Sequence, residues 1–178
     1  MLWLARLREW KGEDVTVRIE RPTNLPRART LGYRPKQGVI LVRQRIIRAN
    51  VQRPKIRSGR RPKRFTRRKS LKQSHQWTAE IRAQKKYPNC EVLNSYLAGQ
   101  DSDYRWYEVI LLDRLHPAVL ADPMYAGVVS RVGRTTRGLT SSARKTRGLL
   151  NKGKGAEHLR PSVYANRERR LRRAKKKA

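Results

Sequence analysis

The chain has a single cysteine, Cys90, among 178 residues. No internal disulfide and no cysteine-based zinc site can be built from it, which suits a reducing compartment, and its surroundings read as a thiol packed inside a strand. Long apolar runs are missing too. Val39–Val42 and Val109–Leu112 are four residues each, against the roughly 20 that a membrane-spanning helix needs. At the start, Leu2, Trp3, Leu4 and Leu7 are interrupted by Arg6 and Arg8. That excludes a signal-peptide core and suits a short amphipathic helix with Trp3, Leu7 and Trp10 on one face, docked on the rest. The glycines lie among cations rather than between an apolar strand and a helix, so no nucleotide-cradling loop is present. His75, His116 and His158 are far apart and in no ligand spacing, and they read as imidazoles facing solvent or a nucleic acid. Asp101 and Asp103 read as residues of a hairpin tip rather than as magnesium ligands. The reading is therefore not an enzyme: no catalytic residue, no metal, no cofactor, no membrane and no small-molecule substrate.

Carboxylates are the other scarcity, with 13 acidic residues against 45 basic ones and a net charge of +32. Seven of the acidic residues fall between Glu80 and Asp122, whereas Arg43 to Lys72 holds fourteen Arg and Lys and no acid. Residues 80–122 carry five basic and seven acidic groups, net −2, so the remainder carries 40 against 6, net +34. A nearly neutral centre flanked by cationic regions requires a polyanionic partner, and a nucleic-acid backbone is the usual one. Packed into one sphere of about 20 Å radius, such a charge would repel itself by on the order of 30 kcal/mol at physiological salt. Folding stabilities are only about 5 to 15 kcal/mol. The basic segments are therefore expected to order when phosphates neutralise them.

Val15, Val17 and Ile19 alternate with Thr16, Arg18 and Glu20, the period of a half-buried strand that Pro22 ends. From Arg21 to Gly38, three prolines and two glycines predict an irregular basic loop carrying Tyr33. Val39–Arg48 reads as a second strand, with Ile40, Val42 and Ile46 on one face and Arg43 and Arg45 presented outward from the other. Ala49 to Lys69 has no periodicity and cannot fold alone. Ser70 and Gln73 form a capping-box pattern that predicts a helix over 71–86, ending before Pro88. Glu91–Ala98 and Tyr104–Asp113 read as strands joined by a Gly99–Asp103 hairpin loop. The fold class is α+β: a small, mostly antiparallel four-stranded sheet with a packed helix, plus long basic extensions ordered on RNA. His116–Asp122 suits a helical turn, Thr140 can cap a short helix through Arg147, and Ser162–Lys176 is a basic helical tail. Two units result: an α+β core over 1–122 with an internal RNA-binding loop at 49–69, and an RNA-embedded extension over 123–178.

The candidate RNA-binding residues follow these cationic stretches. The first loop supplies Arg27, Arg29, Arg34 and Lys36, with Tyr33 as a ring that stacks on a base. The second strand supplies Arg43, Arg45 and Arg48. The internal run adds Arg53, Lys55, Arg57, Arg60, Arg61, Lys63, Arg64, Arg67, Arg68 and Lys69. The carboxy-terminal part contributes Arg134, Arg137, Arg144, Lys145, Arg147, Lys152 and Lys154. Arginine prevails over lysine, as bidentate phosphate pairing favours. A-form major grooves exclude side chains, so recognition would be of RNA shape. A DNA-compacting protein and an RNA-processing enzyme are the competing classes. The first would more often show Lys- and Ala-rich repeats or a helix-turn-helix unit, and neither is present.

Three blocks in fixed order carry more than a pattern: Arg29-Thr30-Leu31-Gly32-Tyr33-Arg34-Pro35-Lys36-Gln37-Gly38; Val92-Leu93-Asn94-Ser95-Tyr96 continued by Tyr107 to Asp113; and Arg137-Gly138-Leu139-Thr140-Ser141 through Arg147-Gly148-Leu149. They closely resemble the archaeal and eukaryotic large-subunit ribosomal protein fifteen family over nearly the whole chain, and Lys152 to Glu157 is similar to its archaeal branch. The resemblance implies a non-catalytic constituent of the large ribosomal subunit in the cytoplasm that binds and stabilises large-subunit rRNA and neighbours other ribosomal proteins. Against that family a longer amino-terminal helical segment is missing before Met1, so either the start is shortened or it is wrongly assigned, and Leu97 stands where an aromatic is common.

Overall fold

The computed structural model describes residues 2–48, 57–60, 73–150, 153, 155–159 and 163–175. A four-stranded sheet of β1 (Thr16–Ile19), β2 (Val39–Ile47), β3 (Cys90–Gln100) and β4 (Tyr104–Asp113) has the order β1-β2-β4-β3, every neighbouring pair antiparallel. The two strands richest in β-branched and large apolar residues, β2 and β4, lie in the middle. They pair over nine residues from Val39↔Leu112 to Ile47↔Tyr104. This is the α+β sheet that the alternation of residues predicts.

Both faces are covered, which explains how so charged a chain keeps a core. On one face α3 (His75–Lys86) sets Ala79 and Ala83 against Val42, Ile46, Val92, Val109 and Leu111. Ser74 caps this helix by accepting from Trp77 N at 3.2 Å. The helix thus starts four residues later than the Ser70 pattern predicts, and Ser70 to Lys72 fall outside the described residues. The other face carries α1 (Leu2–Gly12) and α2 (Leu25–Thr30), then α4 (Pro117–Leu120) and α5 (Pro123–Val129). Leu7 and Trp10 of α1 bury against Trp106, the Trp10 and Trp106 rings 5.9 Å apart. Such a ring pair adds about 0.5–1.5 kcal/mol beyond its area. The expected docking of the first helix is observed.

Two local readings need correction. Residues 21–38 are not wholly irregular, because Asn24 caps α2 by accepting from Arg27 N at 3.0 Å. Pro26 falls in the first turn, where its missing N–H removes no helical hydrogen bond. Gly99 belongs to β3, not to the hairpin loop, at a shift in register with β4. A Cβ there would stand 3.1 Å from side-chain atoms of Leu7, Trp10 and Trp3, so a larger residue would press on the docked α1.

Past Asp122, α5 buries Tyr125 and Val129 against Leu112 and Val119. The chain then rounds the β3 edge of the sheet onto the α3 side. There Trp77 Nε1 donates to Thr135 O at 2.7 Å, and Thr140 caps α6 (Ser141–Thr146). Residues 123–146, read from sequence as the start of an extension, lie against the core and cover its edge strand. A turn of 3-10 helix at Glu157–Leu159 precedes α7 (Val163–Lys175). No helix among the described residues is long and apolar enough to cross a membrane.

Candidate nucleic-acid interface

The acidic residues that make the centre of the sequence neutral are mostly inside. Glu80, Glu91 and Glu108 are at most 1% exposed and Asp122 is 8% exposed, and each fastens a distant segment. Glu80 accepts from the hydroxyls of Ser95 at 2.5 Å, Thr140 at 2.6 Å and Ser142 at 2.7 Å. Burial raises its pKa above the ordinary carboxyl value, against the opposing pull of the hydroxyl bonds from Ser142, Ser95 and Thr140. Glu91 accepts from the backbone N–H of Gly133 at 2.6 Å and of Arg134 at 3.3 Å. Glu108 holds Thr23 through its N–H at 3.0 Å and its hydroxyl, and also takes the Tyr96 hydroxyl. The Tyr96 phenol is pushed up, first by burial and then by that carboxylate. Asp122 accepts from Lys36 Nζ at 2.8 Å, which depresses its pKa.

With four of the seven central carboxylates withdrawn, the surface is more cationic than the composition states. Arg27 and Arg29 on α2 are exposed, as are Arg57 and Arg60, and Arg144 and Lys145 on α6. Arg34 is exposed with Asp122 3.9 Å away, and Lys36 is tethered to the same carboxylate. Arg48 donates to Asp101 O at 2.6 Å, Arg137 to Val132 O at 2.7 Å and Arg147 to Gly138 O at 3.0 Å, all three with exposed side chains. These bonds fix where each guanidinium points while leaving other N–H groups free.

Four predicted residues lie elsewhere than expected. Arg43 does not point outward: it is 9% exposed, stacked 4.3 Å over Trp10 and paired with Glu13 at 2.6 Å. Tyr33 is not a free stacking ring, being 8% exposed among Ala28, Leu41, Tyr96 and Ile110. Arg45 is half-buried over Tyr104 and donates to Lys11 O at 2.5 Å. Arg134 is half-buried and donates to Val92 O at 2.5 Å. In each case a partner far away in sequence covers the side chain. Arg53, Lys55, Arg61, Lys63, Arg64, Arg67, Arg68, Lys69, Lys152 and Lys154 lie outside the described residues.

The candidate set missed the exposed row Arg167, Arg169, Arg170, Arg172 and Arg173 on α7, where Glu168 is the only acid. Arg169, Arg170 and Arg173 line a cleft of about 300 Å³ with Glu157, His158 and Asn166. Its signal in the sequence is the all-round basic helical pattern of Ser162–Lys176.

A small core that folds its carboxylates inward and turns arginine to solvent on several sides is a cationic scaffold protein. The family model for ribosomal protein L15e, described as Ribosomal L15, matches residues 1–166, and the chain belongs to that family, as the three sequence blocks imply. It is accordingly a structural protein of the large ribosomal subunit in the cytoplasm.

Proposed function

We propose that this chain binds and stabilises large-subunit rRNA by clamping phosphates between separate cationic surfaces while the sheet fixes the distance between them. The observation that carries this reading is the sorting of charge by burial: Glu80, Glu91 and Glu108 are internal, and arginines of α2, α6 and α7 are exposed. Arg27, Arg29 and Arg34 form one contact region, and Arg137, Arg144, Lys145 and Arg147 a second. The cations of the internal loop over 49–69, Arg53 to Lys69, and Lys152 and Lys154 in the carboxy-terminal part extend these by their composition alone. Arg43 and Tyr33 are reassigned to holding the core.

The test is the salt dependence of binding to large-subunit rRNA. Each phosphate contact contributes about 0.7–0.9 to the slope of log affinity against log salt. Replacing Arg57, Arg60, Arg64 and Arg68 with glutamine should lower the slope by about 3 and leave the circular dichroism unchanged. An unaltered slope and affinity would remove the clamp from this reading.

A further inference from the structure

From Leu115 to Ser130, sixteen residues contain one charged side chain, Asp122, although 33% of the chain is charged. Asp122 is 8% exposed and taken by Lys36. Among the described residues, α1, α2, α3, α6 and α7 each expose two or more Arg or Lys side chains, whereas α4 and α5 expose none. They expose apolar groups instead. Leu115 is 78% exposed, Leu120 53% and Met124 45%, with exposed Pro117, Ala121 and Pro123 among them. This face has no further folding to do, because Val119, Tyr125 and Val129 already bury in the core and the Tyr125 hydroxyl donates to Gly32 O at 2.8 Å. His116 and Asp122 cap the two helices. A partner that covers so fixed a surface loses little entropy in ordering it.

An exposed apolar area depleted of charge, with charge at its rim, has the composition of the centre of a protein–protein interface. The electrostatics select the kind of partner. RNA needs cations to neutralise its phosphates, and the stretch from Leu115 to Ser130 supplies none. A second copy of this chain brings another net charge of +32 and is repelled. A different protein meets neither objection, and the rim states the charge it carries. Arg114 precedes the stretch and Arg131 follows it, and neither belongs to an ion pair among the described residues. We propose that α4 and α5 dock an apolar segment of another large-subunit protein, seated on Leu115, Leu120 and Met124 and bordered by carboxylates that pair with Arg114 and Arg131. The inference stands on membership of the subunit and on this surface, not on the phosphate clamp.

Two experiments on the full-length chain test this. In the first, the photo-cross-linking residue p-benzoylphenylalanine replaces Leu120, the chain is assembled into large ribosomal subunits in cells, and the purified subunits are irradiated. The adduct should be with another protein, within an apolar run that has Asp or Glu on both sides. An adduct with rRNA, with a second copy of this chain or with a run lacking acids overturns the proposal, as does the absence of any adduct. In the second, the double variant Leu120→Glu, Met124→Glu competes with wild type for incorporation into subunits. Its share should fall about tenfold, the effect of losing one central contact. Its affinity for large-subunit rRNA alone, and the salt slope of that affinity, should equal those of wild type, which also shows that it is folded. A lower rRNA affinity places RNA on this surface, and an equal share leaves it to solvent; either result overturns the proposal. The uncharged pair Leu120→Gln, Met124→Gln should lower the share by a smaller factor, and it covers the case in which the carboxylates disturb α5.

Discussion

Removing the Glu80 carboxylate tests whether the buried acids hold the outer segments to the core. In Glu80→Ala the hydroxyls of Ser95, Thr140 and Ser142 each lose their acceptor. An unsatisfied buried donor costs about 1–3 kcal/mol, so the gross loss for the three is about 3–9 kcal/mol, with a void besides. Part is returned, because burial makes ionisation of Glu80 unfavourable in the fold. The net should be about 3 kcal/mol, a large share of a typical stability. Glu80→Gln keeps an oxygen acceptor and carries no charge, so it should stay within about 1 kcal/mol of wild type. The pH dependence has a definite sign. The folded-state pKa is raised from the ordinary 4.5, so the fold binds the proton more tightly than the unfolded chain does. This contribution is complete below pH 4.5 and is lost as pH rises through the folded value. Urea unfolding between pH 4 and 8 at constant ionic strength should show a downward slope from this group in wild type that is absent in Glu80→Gln. Hydrogen exchange should accelerate in Glu80→Ala over residues 133–146. If the alanine variant is as stable as the glutamine variant, or exchange over that segment is unchanged, the anchoring argument is wrong.

Arg43→Ala should destabilise by about 3 kcal/mol, because it leaves the Glu13 carboxylate without its partner and removes the stack on Trp10. It should leave the salt slope of RNA binding unchanged; a slope reduced by nearly one would return Arg43 to the phosphate contacts. Lysine at 43 should recover only part of the stability, having no planar face to lay on the ring. The Cys90 thiol is pushed up to about 11, chiefly by burial and next by Asp113. Its thiolate fraction at pH 8 is then lower by about a hundredfold than that of an ordinary thiol at 9.0. Alkylation by iodoacetamide should be slower by at least that factor in the native protein than in urea, and comparable rates would contradict the packing around β3.

What could be read from the sequence is what neighbours in the chain decide. The alternation in 15–20 and 39–48, the hairpin of 91–113 and the Thr140 cap all depend on residues within a turn or a strand of one another, and all are present in the structure. The burial of Tyr33 and Arg43 is not legible in the sequence because their neighbours in the chain are cations, while their neighbours in space come from β3, β4 and α1. The role of the acids was hidden for the same reason. Glu80 and Thr140 are 60 residues apart, and Glu108 and Thr23 are 85 apart. A charge count sees these carboxylates as a neutral centre; the fold uses them as internal acceptors. An exposed carboxylate beside a phosphate-binding surface would compete with RNA for its arginines, whereas a buried one meets the N–H and O–H donors of segments that must be held. Turning the acids inward thus fastens residues 23 and 133–142 to the sheet and leaves the outer cations for a polyanion.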